Sequence, residues 1–318
     1  MINSESNAFY RSKLGVRFYD LFNQSVDQNG PVKGDINFYI SCAREFGGPV
    51  LELATGTGRV LWPIAAAGFE VVGVEISEPM LAQARQKAAR ETSATRQRVR
   101  FYQMDMTLFA IDETFRLAIV PFRAFHHLTN PDQQRRALSC INRSLVPNGH
   151  LVVDLLDPRL EYCVPGAPPP LTERIAKDLS TGHTVVRRVV ERINDPVRQI
   201  FTEKFRIEEL DEYGRSLDSE ETSWSFRWAT RQEMRYLFEL TGFEVVAEYS
   251  DFFVHHLFTV PNSSGLCERS DNLHRTSQRC SALRKYIAIQ IANVKGAKQN
   301  RANLYPSSVS PCCLFGEK

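Results

Sequence analysis

The stretch best suited to chemistry is VLELATGTGR at 50–59, an apolar run that ends in a glycine turn. Gly56 and Gly58 carry no Cβ, so the chain can bend sharply there and bring backbone N–H groups against a ligand. About 20 residues on, the run VVGVE ends in Glu75, a carboxylate placed to accept hydrogen bonds from two vicinal hydroxyls such as those of a ribose. A dinucleotide enzyme requires G-x-G-x-x-G, with a third glycine that brings the following helix close to the strand. Leu61 occupies that position. A NAD(P)-dependent oxidoreductase is therefore the second reading of this turn, and a cofactor-binding protein without turnover is the third.

Such residues need a framework, and the chain supplies one in alternation. VLEL reads as a strand, RVLWPIAAAG as a helix with Pro63 near its first turn and Gly68 as its stop, and VVGVE as the next strand. Ser77 caps EPMLAQARQKAAR, VRFYQMDM and RLAIV read as strands three and four, Asp132 opens the helix DQQRRALSCINRSL, and HLVVDLL is strand five. Parallel strands need crossovers of this kind. The expected fold is α/β, a doubly wound Rossmann-like mostly parallel sheet whose ligand lies beyond the carboxyl ends of the strands, where all the candidate residues fall. DPRLEYCVPGAPPPL then resists regular structure. After it, HTVVRRVVERIND, QIFTEKFRIEELDEYGR and SLDSEETSWSFRW alternate apolar and polar residues, which predicts an inserted small antiparallel β-sheet of three strands. One face is expected to cover the active site and the other to meet water or a second subunit in a homodimer. Trp224, Phe226 and Trp228 share a face and read as its core, with a substrate wall as the alternative. Arg187, Arg188 and Arg192 read as a solvated charged face, with an acidic group as the alternative contact. Thr230 caps RQEMRYLFELTGF, and EVVAEYSDF is strand six.

LELATGTGR followed by GVEIS resembles the first two motifs of the class I S-adenosylmethionine-dependent methyltransferases, and the resemblance runs over 19–249. It implies S-adenosylmethionine as the cofactor and direct transfer of its methyl group to an N or O atom of a small molecule. Within that resemblance, Glu52 fixes the glycine loop and faces the cofactor's amino-acid end. Ala54 and Thr55 replace the glycine or cysteine often found there, and Arg59 with the turn's N–H groups meets the carboxylate, a solvated helix-start arginine being the alternative. Glu75 grips the ribose, Ile76 lies along the adenine, and Ser77, Met80 and Leu81 match S-x-x-M-L, with Met80 read as core. Asp105 receives the adenine amino group with Met106 beside it. The run Val120, Pro121, Phe122, Arg123 lacks the Asn/Asp-Pro-Pro-aromatic pattern of enzymes that methylate DNA-base amino groups, and Pro121 is counted with the cofactor contacts. Phe122 and Phe125 are expected to line an apolar pocket, Arg123 to hold an anionic group, and His126 or His127 to take a proton. Adjacent histidines point in different directions, so no metal site follows from them. Tyr19, in a YD pair, is expected to close over the cofactor.

Composition bounds the rest. The 318 residues carry a net charge of +2, too near neutral to attract nucleic acid or an acidic membrane at long range, which leaves a small or neutral acceptor. No run of about 18 apolar residues occurs, and MINSESNAFY has no basic-then-apolar leader, so a soluble cytoplasmic chain is expected. Seven cysteines with no C-x-x-C pair read as reduced thiols. Residues 1–48 form a helical lid, with helices in FYRSKLGVRFYDLF and DINFYISCAREF; 49–158 and 229–253 form the core, and 159–228 the insertion.

From 254 to 318 the composition shifts to Ser, Arg, Asn and Cys, and the resemblance stops. Written in permissible codons and read one nucleotide out of register, VHHLFTVPNSSG can give GSSPIYGAEQLW, which is similar to the family's turn and seventh strand. A frame-shifted, poorly packed tail is one expectation. The rival is a real extension in which RKYIAIQIANVK forms a replacement strand or helix. Sequencing the gene is expected to show the alternative frame through 254–265, running on to Val, Met and a stop; a gene without it removes the frame-shift idea.

Overall fold

The computed structural model describes residues 7–24, 34–249 apart from 157, 159, 170 and 171, then 252 and the strand 287–294. A short 3-10 turn, Ala8–Arg11, leads into α1 (Lys13–Arg17), α2 (Tyr19–Gln24) and α3 (Asp35–Phe46). The alternating part follows: β1 (Val50–Leu53), α4 (Leu61–Ala66), β2 (Val71–Glu75), α5 (Glu78–Lys87), α6 (Ser93–Arg96), β3 (Val99–Gln103), β4 (Phe115–Val120), α7 (Pro131–Ser144) and β5 (Leu145–Leu156). Strands β1 to β5 pair in parallel in the order β5-β4-β1-β2-β3. Every residue of β1 and β2 is buried, as a strand covered by helices on both faces must be.

Leu61 sits where a third glycine would, and the sheet makes room for it. A Cβ on Gly73 of β2 would lie 2.6 Å from Leu61 Cδ1 and 3.0 Å from Thr55 Cγ2, so the bare backbone of Gly73 lets α4 settle on the sheet. Asn130, rather than Asp132, caps α7: its side chain accepts the Asp132 N–H at 2.8 Å.

The inserted sheet has four strands, not three, in the order β6 (Glu173–Lys177), β7 (Thr184–Asp195), β8 (Ile200–Leu210) and β9 (Ser216–Arg227). The extra strand, ERIAK, is five residues long at an edge, too short to show the two-residue period that marks the others. Phe9, Leu14, Phe18 and Phe22 of the lid pack on Val185, Phe205 and Ile207 of the insertion's inner face. Polar ties reach both ways from the lid: Arg17 donates twice to Glu209, while Asp20 accepts from Thr57 Oγ1 at 2.7 Å and pairs with Lys87 at 2.6 Å.

After α8 (Arg231–Leu240) and β10 (Phe243–Tyr249), β11 (Ile287–Val294) runs antiparallel between β10 and β5. IAIQIANV forms the replacement strand of the rival reading and gives β5 and β10 a shared partner in place of two open edges. Residues 254–265, where the alternative frame would begin, lie outside the described residues. Among the described residues no helix is long and apolar enough to cross a membrane.

The Gly73 contact yields a test of this packing. Gly73→Val is expected to lower stability by about 1–3 kcal/mol through overpacking against Leu61, seen as a lower urea midpoint at unchanged slope. An unchanged midpoint would show that α4 does not rest on β2.

Candidate active site

One cavity opens at the carboxyl ends of the parallel strands, and it has two halves. The first is built on the glycine turn. Gly56 has φ +57, and its N–H donates to Glu75 Oε2 at 3.0 Å, while Ile76 and Ser77 donate their N–H groups to Glu75 Oε1 at 2.9 Å each. Burial pushes the Glu75 carboxyl up, and these three donors pull it back. A carboxylate offers about four acceptor positions, so Glu75 retains one for a ligand hydroxyl. Glu52, 1% exposed in the middle of β1, has no partner at Oε2, and burial drives its pKa up to about 8. Arg59 donates to Asp35 at 2.5 Å and lies 5.0 Å over the Phe122 ring, while its Nη1 is buried without a hydrogen bond. Asp105 uses Oδ1 to accept the Thr107 N–H at 2.8 Å and lines the cavity with Met104 and Met106.

The sequence-based candidates Glu52, Ala54, Thr55, Gly56, Arg59, Glu75, Ile76, Met80, Asp105, Met106 and Pro121 all line this cavity. Gly58 does not. Its N–H donates to Thr55 O at 2.9 Å, and a Cβ on it would come within 2.9 Å of Trp62. Gly58 is a packing glycine at φ +74.

The second half is aromatic and comes from the lid and the turn after β4. Tyr10, Tyr19, Phe122 and His127 line it. Tyr10 OH and His127 Nε2 are 2.7 Å apart, and His127 Nδ1 faces Asn7 Oδ1 at 2.9 Å and the Ser225 carbonyl at 3.1 Å. The carbonyl can only accept, so Nδ1 carries the ring proton and Nε2 accepts from the Tyr10 hydroxyl. Burial pushes the His127 pKa down to about 3 and the Tyr10 and Tyr19 phenols upward, so all three are neutral at pH 7.

Two nominations change. His126 is absent from the cavity wall: its Nδ1 lies 2.6 Å from the Arg227 carbonyl, and its Nε2 accepts the Leu156 N–H at 2.8 Å. With both nitrogens occupied and its pKa lowered by burial to about 4, His126 ties β5 to β9 and performs no proton transfer. Arg123 also stands outside the wall, although its neighbour Phe122 is in it; Phe125 is fully buried in the core. Tyr10 was not legible as a site residue, because the short Ala8–Arg11 turn that presents it is too brief to show a periodic signal.

Residues 50–149 match the family of methyltransferase domains. The glycine/sarcosine N-methyltransferase of Parasynechococcus marenigrum is 30% identical over 148 residues, which is 46% of this chain and 51% of that protein. Residues 50–149 are a class I S-adenosylmethionine-dependent methyltransferase domain. The chain spans about half the length of the curated relatives it matches. In fold it resembles the CcbJ methyltransferase from Streptomyces caelestis, with a TM-score of 0.66, 20% identity, and coverage of 92% of this chain and 100% of that one. It also resembles the sugar N-methyltransferase KedS8 from Streptoalloteichus, with a TM-score of 0.58, 18% identity, and coverage of 87% and 92%.

The methyltransferase domain's residues fit its cofactor. S-adenosylmethionine has an ammonium and a carboxylate at one end and ribose hydroxyls at its centre, and the cavity holds matching unsatisfied groups: Glu52 Oε2 as acceptor, Arg59 Nη1 as donor, and the remaining acceptor position of Glu75. The buried Glu52 carboxyl sets a pH dependence in the ligand-free protein. Its folded pKa of about 8 lies above the unfolded value of about 4.3, so its contribution to stability is full below the unfolded value. That contribution declines as pH rises and is lost through about 8. Glu52→Gln is expected to flatten the fall in stability across that window, measured by urea unfolding at several pH values. An identical slope in the variant would place the Glu52 carboxyl in a solvated setting.

Proposed function

We propose that the chain moves a methyl group from S-adenosylmethionine to a nitrogen or oxygen atom of a small molecule by direct displacement. The observation that carries this reading is a single cavity with Glu52, Glu75 and Asp105 in one half and the Tyr10–His127 pair in the other. S-adenosylmethionine, when bound, supplies a methyl group already activated by the sulfonium charge. The chain has then to align an acceptor lone pair and keep water away. The lid and the inner face of the insertion do the second: Phe9, Phe205 and Trp224 close the roof above Tyr10, with Trp224 stacked 6.4 Å from it.

Tyr10 does the first. Its hydroxyl proton is directed to His127, which leaves the phenol oxygen free to accept from an N–H or O–H of the acceptor and aim the acceptor's lone pair. Burial lowers the His127 imidazolium pKa to about 3, so the neutral ring is a weak proton acceptor; it positions Tyr10 and is not the base. A wall without a strong base suits an amine that enters as the free base after giving its proton to water, since its lone pair then needs no further deprotonation, better than a hydroxyl that must be deprotonated in the site. The relatives named as N-methyltransferases support the same preference. The oxidoreductase alternative falls with the domain match; a cofactor-binding protein without turnover is the outcome to be separated by experiment.

Incubation with methyl-labelled S-adenosylmethionine and a metabolite extract is expected to place label in a small molecule. Tyr10→Phe is expected to reduce kcat/KM roughly 10- to 100-fold with cofactor affinity unchanged. Cofactor binding without any labelled product would favour the non-catalytic reading, and full activity in Tyr10→Phe would remove the tyrosine from the mechanism.

A further inference from the structure

Arg174 of β6 and Arg187 of β7 stand directly opposite each other in the antiparallel register, so their side chains leave the same face of the sheet. That face looks inward. Arg187 is 7% exposed, and its guanidinium carbon lies 5.7, 5.1, 5.4 and 5.2 Å from the ring centres of Phe9, Phe22, Phe205 and Trp224. Among the described residues no carboxylate forms an ion pair with either arginine. Glu203 is the acidic group whose charge reaches both. It is already engaged, accepting from Arg192 Nη1 at 2.5 Å and from the Trp224 indole N–H at 3.0 Å.

Arg123, on the turn after β4, adds a third cation. Burial, and then the charge of Arg123, lower the pKa of Arg174, and the Nε and Nη2 of Arg123 are buried without a hydrogen bond. The turn that presents it has φ +56 at Phe122 and +61 at Arg123, two consecutive non-glycine residues in the left-handed region. Such strain persists only where the surroundings fix it. The carboxyl near Arg123 is Asp154, fully buried, its pKa raised by burial to about 7; it offsets that cation only in part. Burial and Arg174 lower Arg187 to about 10, which still leaves it charged at neutral pH.

Like charges gathered out of water are unfavourable without a counter-charge, and ring faces attract a cation without neutralising it. The group also adjoins the acceptor half of the cavity. None of the three arginines lines the cavity itself, but Arg187 packs on Phe9 and Trp224, whose rings contact Tyr10, and Phe122, next to Arg123, lines that half. We propose that Arg123, Arg174 and Arg187 form an anion subsite beside the acceptor half, holding a phosphate or diphosphate group carried by the methyl acceptor. The proposal rests on the methyltransferase reading and names the acceptor's class. Three guanidinium groups match a group of two or more negative charges better than the single charge of a carboxylate, and their planar forks suit bidentate contact with phosphate oxygens. The near-neutral net charge of the chain does not reveal such a subsite, since it is local.

Calorimetry on the full chain saturated with S-adenosylhomocysteine tests this with sodium pyrophosphate, inorganic phosphate and benzoate as probes. Pyrophosphate or phosphate is expected to bind the wild type, more tightly than benzoate, and about tenfold or more weakly in Arg174→Gln and in Arg187→Lys, which keeps the charge but loses the fork. Arg174 is only partly buried, so its variant should fold, and a melting curve checks this. Equal binding of both phosphate probes in the wild type and Arg174→Gln, no binding of either, or benzoate binding as tightly would each overturn the proposal. Failure to bind S-adenosylhomocysteine would instead strike the methyltransferase reading itself.

Discussion

The structure depends on the Glu75 carboxylate and the three backbone N–H groups that converge on it. One comes from Gly56 in the turn after β1 and two from Ile76 and Ser77 at the start of α5. A single side chain thereby locks two neighbouring βα turns in register at the mouth of the sheet. Each bond to a charged acceptor is worth about 1.5–3 kcal/mol, which is set against the cost of burying the charge. The balance holds the turn in a shape that apolar packing alone would not specify, with Ala54 held at φ +55 and Gly56 bare toward the cavity. The other half of the site inherits this position. Ser77 also donates its hydroxyl to the Tyr10 carbonyl at 2.5 Å, so the acceptor-side tyrosine hangs from the same turn.

The lid is the element that joins the two sheets. Its aromatic face is committed to the insertion, while Asp20 and Tyr10 reach back to the glycine turn and to α5. His126 makes a second join, between the end of β5 and the end of β9. The inner sheet therefore roofs the cavity at a fixed height, and the buried arginines on it become a property of the site rather than of the surface.

Much of this was legible in the sequence because it follows from periodicity and from residues that stand at strand ends. The beat from β1 to β5, the helix Asp35–Phe46 and the caps Ser77 and Thr230 are local signals, and Glu75 and Asp105 announce themselves by following apolar strands. What failed was long-range. Gly58 looks like Gly56 in a string of letters, and only Trp62 packing on it shows that it serves the helix. His126 and His127 are adjacent, and their roles diverge because one ring turns to two backbone groups and the other to Tyr10. Arg187 reads as one of several charges on an alternating strand until two rings of the lid, Phe9 and Phe22, and two of the inserted sheet, Phe205 and Trp224, close around it. The strand β11 follows a long segment with no family likeness, and pairing on both sides rather than pattern defines it.

The central claim is that the Glu75-pinned turn binds S-adenosylmethionine, and calorimetric titration of wild type and Glu75→Ala with S-adenosylmethionine and with NAD tests it most directly. Binding of the former, no binding of NAD, and a loss of about 2–4 kcal/mol in the variant are the results this structure predicts. Equal affinity in wild type and variant, or binding of NAD in preference to S-adenosylmethionine, would contradict it.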